Sequence, residues 1–166
     1  MLPIAEPNAS KGVDDVHPLA WTEPVVVIDA REKLPYKFPA AEIAFLNTGD
    51  YSLHGFEDRV AIERKSKSDA YRSVGHMRER FRREFERLAA LDYAAVIVEC
   101  SLADFMIPPP FSELHPSAAV GTLLSWSVRH RVPVYFAGDR EHGQWLTQYL
   151  LTKYAWYAEQ EDNDVR

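Results

Sequence analysis

Three short apolar runs, each too brief to be a buried helix, limit what this chain can fold into: Val25-Val26-Val27-Ile28, Tyr93 to Glu99, and Val132 to Ala137. Unalternating runs of this length belong to strands covered on both faces, and so to a sheet with helices on either side. After the first run the period changes. Ala44–Leu53 and Arg59–Lys65 read as two further strands, joined through Leu53–Asp58 and paired as a hairpin. Val74, Met77, Phe81, Phe85 and Leu88 then recur at steps of three and four, which predicts an amphipathic helix with Ser68 or Asp69 as its N-cap. A second helix is predicted from Pro116 or Ser117 to Arg129, with Val120, Leu123, Leu124 and Val128 on its inner side. A third follows the Gly138-Asp139 cap, from Arg140 to Ala158, and turns Trp145, Leu146, Tyr149, Leu150 and Tyr154 or Trp156 inward. Strand–helix–strand order favours parallel pairing with right-handed crossovers. The expected fold class is α/β, a central mixed β-sheet flanked by helices.

A chain of 166 residues, 46% of them hydrophobic, buries one sizeable core and not two. Residues 1–23, rich in Pro, Asn, Ser and acid, read as a flexible arm; 24–158 as the folded domain; 159–166 as an acidic tail. No apolar run approaches a membrane span, and the first residues lack a basic segment followed by an apolar one, so no membrane partner and a cytoplasmic location are expected. The single cysteine, Cys100, excludes an internal disulfide and a multi-cysteine zinc site. The six histidines show no metal-motif spacing.

The net charge of −6 argues against nucleic-acid binding, which requires clustered Lys and Arg. The distribution reverses that argument. From Arg59 to Arg87 there are ten basic residues against five acidic ones, while the acid concentrates near the two ends of the chain. A basic working face on an otherwise acidic protein is the implied arrangement.

Residues two apart on a strand share a face, so Glu63 and Lys65 point together and Arg64 points away. Asp50, on the partner strand of the hairpin, is positioned to converge on Glu63, and Asp29 at the end of the first strand to complete an acidic cluster. Carboxylates crowded in this way repel unless a cation lies between them. The expected roles are metal ligands for Asp29, Asp50 and Glu63, and water or phosphate contact for Lys65. Taken singly, each segment has another reading: Gly49-Asp50 as an ordinary turn, Glu63-Arg64-Lys65 as a solvated strand end, and Asp29 to Glu32 as an ion-paired patch.

Taken in order, Gly49-Asp50-Tyr51, then Glu63-Arg64-Lys65, then Asp69 after three intervening residues, resemble the nuclease motif of the XPF/Mus family of structure-specific endonucleases. Val27 to Glu32 resembles that family's opening strand, with its Asp, one residue, then Arg-Glu. Arg78 falls where the family has an arginine in the following helix, and Val96-Ile97-Val98-Glu99 resembles its next strand. The resemblance spans about Val25 to Tyr154. It implies a restriction-endonuclease-like fold, dependence on Mg²⁺ or Mn²⁺, and cleavage of branched, flapped or single-strand-containing DNA in repair, recombination or replication. It further implies Asp29, Asp50 and Glu63 as ligands, Lys65 as catalytic, and Arg31, Glu32, Arg64, Asp69 and Arg78 as supporting or DNA-contacting. Family members usually append tandem helix-hairpin-helix modules; a chain ending at Arg166 is expected to be a compact single-domain form of the bacterial or phage type. The aromatic last helix leads to the expectation of a homodimer contact. A catalytically silent DNA-binding or scaffolding module of the same fold is the rival reading, and retention of all four chemical residues disfavours it.

Overall fold

The computed structural model describes residues 23–110 and 112–164. The expected arm over residues 1–23 lies, apart from Glu23, outside the described residues. Six strands, β1 (Val26–Asp29), β2 (Ala41–Ala44), β3 (Tyr51–Leu53), β4 (Val60–Lys65), β5 (Tyr93–Val98) and β6 (Val134–Phe136), form one sheet in the order β2-β1-β3-β4-β5-β6. β3 runs antiparallel to both β1 and β4, whereas β1–β2, β4–β5 and β5–β6 are parallel. The sheet is mixed and flanked by helices, as its sequence pattern predicts.

Pleating divides the core into two halves. On one face, Ala61, Val96 and Val98 pack against Tyr71 and Val74 of α1 (Lys67–Val74), Phe81 and Phe85 of α2 (Arg78–Leu88), Phe105 of α3 (Leu102–Phe105), and Leu123 and Trp126 of α4 (Pro116–His130). On the other, Val26, Ile28, Tyr51, Ile62 and Ile97 meet Tyr36 and the long helix α5 (Arg140–Asp164) through Leu151 and Ala155. Each such large apolar side chain withdrawn from water contributes about 1.5–3 kcal/mol before entropy is counted.

Several expectations are corrected. The region Ala44–Leu53 is not one strand: Ala41–Ala44 joins β1 in parallel, and only Tyr51–Leu53 forms the hairpin with β4. Asp29 explains the break, because its carboxylate captures the Leu46 N–H at 3.0 Å and draws the chain out of strand geometry. The helix expected through Leu88 is two helices. Gly75 stops the first at φ −95°, ψ −103°, and the apolar period carries on across the break. The cap is Ser66, whose hydroxyl receives the Asp69 N–H, and not Ser68 or Asp69. On α4, Leu124 and Val128 are exposed; the buried stripe is Ala119, Leu123 and Trp126, set by Trp126 packing edge-on against Phe81 and Phe85. On α5, Trp145 and Tyr149 stack on each other outside the core, while Thr147, Leu151, Ala155 and Ala158 face the sheet. This helix also passes the expected end at Ala158 and continues to Asp164.

Helix α5 approaches the sheet closely at its first turn. A Cβ on Gly143 would stand 2.5 Å from the Tyr36 hydroxyl. That ring cannot withdraw: it is buried, stacked on Tyr51 with centroids 5.1 Å apart, and covered by the Arg140 guanidinium at 4.9 Å. Alanine in place of glycine gains up to about 1 kcal/mol of helix propensity, but overpacking costs about 1–3 kcal/mol. Gly143→Ala is therefore expected to lower the urea unfolding midpoint; a raised midpoint would show that Tyr36 does not confine this turn.

Candidate active site

The carboxyl ends of β1 and β4 and the turn before β3 meet at one edge of the α1/α2 face. Ile28 lies opposite Tyr51, and Tyr51 opposite Ile62, so the next step brings Asp29, Asp50 and Glu63 alongside one another across three strands. The Asp29 N–H donates to the Asp50 carbonyl at 2.9 Å, and the Asp50 N–H to the Ile62 carbonyl at 2.9 Å. Gly49 makes the turn possible with φ +77°; a Cβ there would be 2.8 Å from the Ala61 Cβ. Asp50 Oδ2 accepts the Arg64 N–H at 2.7 Å, and Lys65 Nζ lies 2.8 Å from Glu63 Oε1. The lysine ammonium also stands 4.9 Å above the Phe81 ring, which fixes its direction. Asp50, Glu63 and Lys65 line a cavity of about 440 Å³, whose wall also includes Glu32, Asp69 and Glu84 and five basic residues, Arg31, Lys33, Arg64, Arg72 and Arg80.

Burial and mutual repulsion dominate the electrostatics. Removal from water, reinforced by the Glu63 charge, pushes the Asp50 carboxyl up to about 8 from an ordinary 3.8. Burial likewise raises Glu63, against the attraction of Lys65. Burial works against the charged form of Lys65, but the charge and hydrogen bond of Glu63, joined by the Asp50 and Glu84 charges, hold it above its usual value. Two carboxyls that resist ionising together and an ammonium that resists neutralisation form a set that an added cation would relieve.

The other predicted residues fall into three groups. Asp29 is buried behind Asp50, with its oxygens taken by Arg31 (N–H 2.7 Å, Nε 2.9 Å, Nη2 2.6 Å) and by the Leu46 N–H. Burial works against ionisation there, but these hydrogen bonds prevail and hold it below the ordinary range. Arg64 turns to the opposite face, as the pleat requires, and forks onto Glu32 (3.1 and 3.0 Å) while reaching Glu99 at 3.0 Å. Arg140 of α5, its side chain 45% exposed, binds the other oxygen of Glu99 at 2.9 Å and closes a network of two acids and two guanidiniums. Arg78 bonds Thr122 at 2.9 Å and covers the Trp126 ring at 5.0 Å, fastening α2 to α4 and not lining the cavity. Asp69 lines the cavity while its carboxylate accepts from the Ser66 hydroxyl at 2.7 Å.

Sequence reasoning missed Glu84, Arg72, Arg80 and Lys33 as cavity residues, and Glu99 and Arg140 as network partners. One signal was present: Met77, Arg80, Phe81 and Glu84 are spaced i, i+3, i+4, i+7, one helical stripe. Which way that stripe faces is a matter of how α2 docks.

The donor set fits a hard divalent cation. Asp50 Oδ2 and Glu63 Oε1 are engaged by Arg64 and Lys65, and each carboxyl has a second oxygen of the hard type that Mg²⁺ or Mn²⁺ takes as a ligand. By contrast, the one trio of described His and acidic residues whose ligand atoms lie within 4.8 Å of one another is Glu42, His54 and Glu57, all exposed at the far edge of the sheet. There the His54–Glu42 pair at 2.7 Å accounts for the approach.

The raised Asp50 carboxyl has a consequence for stability. A group whose folded-state value exceeds its unfolded one contributes nothing adverse below about 4 and costs stability as pH rises toward about 8. In chelator, the protein is expected to lose stability over that interval, and Asp50→Asn to be more stable than the parent at pH 8 by on the order of 2 kcal/mol, converging with it near pH 4. Parallel denaturation curves at the two pH values would contradict the Asp50–Glu63 coupling.

The ERCC4 domain model matches residues 28–149. The chain is similar to MJ1505 of Methanocaldococcus jannaschii, named as an ATP-dependent RNA helicase, at 30% identity over 134 residues; the match takes in 78% of this chain but 15% of that protein. Among solved structures it is similar to XPF from Aeropyrum pernix (TM-score 0.60, 19% identity, 77% of this chain and 63% of that one). The same protein in complex with DNA gives TM-score 0.60 at 20% identity, over 81% and 66% of the two chains. This chain thus spans about a seventh of the length of MJ1505 and under two thirds of the matched XPF chain. With Asp50, Glu63 and Lys65 gathered at one end of the central strands, the chain belongs to the ERCC4 domain family and has the restriction-endonuclease-like fold of an XPF-type nuclease domain.

Proposed function

We propose that this protein is a divalent-metal-dependent DNA endonuclease that hydrolyses phosphodiester bonds in branched, flapped or single-strand-containing DNA. One observation carries the reading: the half-buried Asp50 carboxyl and the buried Glu63 carboxyl stand beside the Lys65 ammonium in a cavity rimmed by Arg31, Lys33, Arg72 and Arg80. The rim offers cations to a phosphate backbone, while the floor offers hard oxygen ligands. Mg²⁺ or Mn²⁺ bound there would polarise the phosphate and lower the pKa of a bound water.

In this reading Asp50 and Glu63 hold the cation directly. Asp29 completes the set when its partner Arg31, whose side chain is 65% exposed, turns to a DNA phosphate. Lys65 remains protonated beside Glu63, so it serves as a donor to the scissile phosphate or its attacking water. Arg64 and Glu32 keep the strand ends in place, Arg78 secures α2, and Asp69 braces α1 at the wall. DNA binding is also the state of the Aeropyrum pernix XPF to which the fold is similar. The stacked, exposed Trp145–Tyr149 pair is the surface through which two copies would meet.

Labelled flap, splayed-arm, duplex and single-stranded DNA, each with Mg²⁺, Mn²⁺ or chelator, test the proposal. Cutting of the branched forms is expected to stop in chelator and to fall by on the order of 10²–10³ in Asp50→Asn, Glu63→Gln and Lys65→Ala, with each variant still folded by circular dichroism. Wild-type cutting by Asp50→Asn would refute the site. Tight binding of flaps by the parent without any cutting would favour the scaffolding reading.

A further inference from the structure

The Gly49–Asp50 turn is held from the sheet side entirely by backbone. Asp50 N–H donates to Ile62, Asp29 N–H donates to the Asp50 carbonyl, and Arg64 N–H meets the Asp50 carboxylate. Gly49 itself lies flat on β4, where no Cβ would fit. These contacts leave the Gly49 N–H directed to the α2 side, and a main-chain donor at a half-buried position needs an acceptor. Glu84 supplies it from α2: its Oε1 accepts the Gly49 N–H at 3.4 Å, while Arg87, three residues further along the helix, holds its Oε2. The Glu84 side chain is only 17% exposed, and it lines the same cavity wall as Asp50, Glu63 and Lys65. A third carboxylate here adds to the repulsion already borne by Asp50 and Glu63, so helix pairing with Arg87, a matter of a surface ion pair, is a small return for placing it inward.

We propose that Glu84 is a positioning residue of the active site: it ties the Gly49–Asp50 turn to α2 and so keeps the Asp50 carboxyl beside Glu63. The part of this inference that concerns metal uptake rests on the reading of Asp50 and Glu63 as cation ligands; the tether itself does not.

Three variants, Glu84→Ala, Glu84→Gln and Arg87→Ala, separate the possibilities by two readouts. The first is amide hydrogen exchange at Gly49 in metal-free protein; the second is Mn²⁺ affinity by calorimetry. Glu84→Ala is expected to speed Gly49 exchange roughly fivefold and to weaken Mn²⁺ binding on the order of tenfold, the effect of losing an outer-shell support. Glu84→Gln, which keeps an acceptor for the Gly49 N–H, is expected to restore both, and Arg87→Ala to leave both as in the parent. Unchanged Gly49 exchange in Glu84→Ala overturns the proposal. So does a Glu84→Gln protein as impaired as Glu84→Ala, since charge and not the hydrogen bond would then be responsible. An Arg87→Ala protein with the same losses overturns it too, because a general loosening of α2 would explain them. If the parent takes up no Mn²⁺ while Gly49 exchange still follows the expected order, the metal-site reading fails and the tether stands.

Discussion

The pleat of β4 is the constraint on which both halves of this molecule depend. It sends Glu63 and Lys65 to the α1/α2 face and Arg64 to the other, so three consecutive residues serve two separate tasks. On one side they build a charged cavity; on the other, Arg64 joins Glu32 after β1, Glu99 after β5 and, through Glu99, Arg140 of α5. A one-residue slip would exchange the two sides, turning Glu63 and Lys65 together away from Asp50 and a guanidinium into the site. The register is secured by the six-position parallel ladder from Val60↔Tyr93 to Lys65↔Val98, against a strand that is almost wholly buried.

The two sides differ in how their charges are balanced. The Arg64 network pairs two acids with two guanidiniums at hydrogen-bond distance, which is the condition for burying charge without a large net penalty. The cavity has no such balance: Asp50 is pushed up to about 8 by burial and by Glu63, and Lys65 answers only one of the carboxyls. Strain of this kind sits where a cation would remove it, and the surrounding packing of Phe81, Phe85 and Trp126 gives α2 the rigidity to sustain it.

Legibility in the sequence followed the range of the interaction. β1, β5 and β6 were readable because unbroken apolar runs report burial locally, and the Glu63/Lys65 pairing was readable because a strand's period is two. The break at Leu46 was not, since it depends on Asp29, seventeen residues away, capturing a backbone N–H. The break at Gly75 left the apolar period intact and so left no mark in it. Leu124, Val128, Trp145 and Tyr149 were assigned to the core on hydrophobicity; Trp126 and the small residues of α5 took those places because they fit closer to the sheet. Arg78 was matched by position to a supporting or DNA-contacting role; it fastens α2 to α4, and it is Arg80, two residues on, that lines the cavity.

By itself the sequence determined the fold class and singled out Asp29, Asp50, Glu63 and Lys65 as candidates, because each is announced by local period or by a short motif. The tertiary structure decided which of them open onto the cavity, that Asp29 is held by Arg31 behind the other two, and that Glu84, Arg80 and Arg72 complete the wall. The reason is physical: a strand's alternation specifies which way a side chain leaves its own backbone, whereas the company it meets there depends on how helices far along the chain dock, which only the packed core settles.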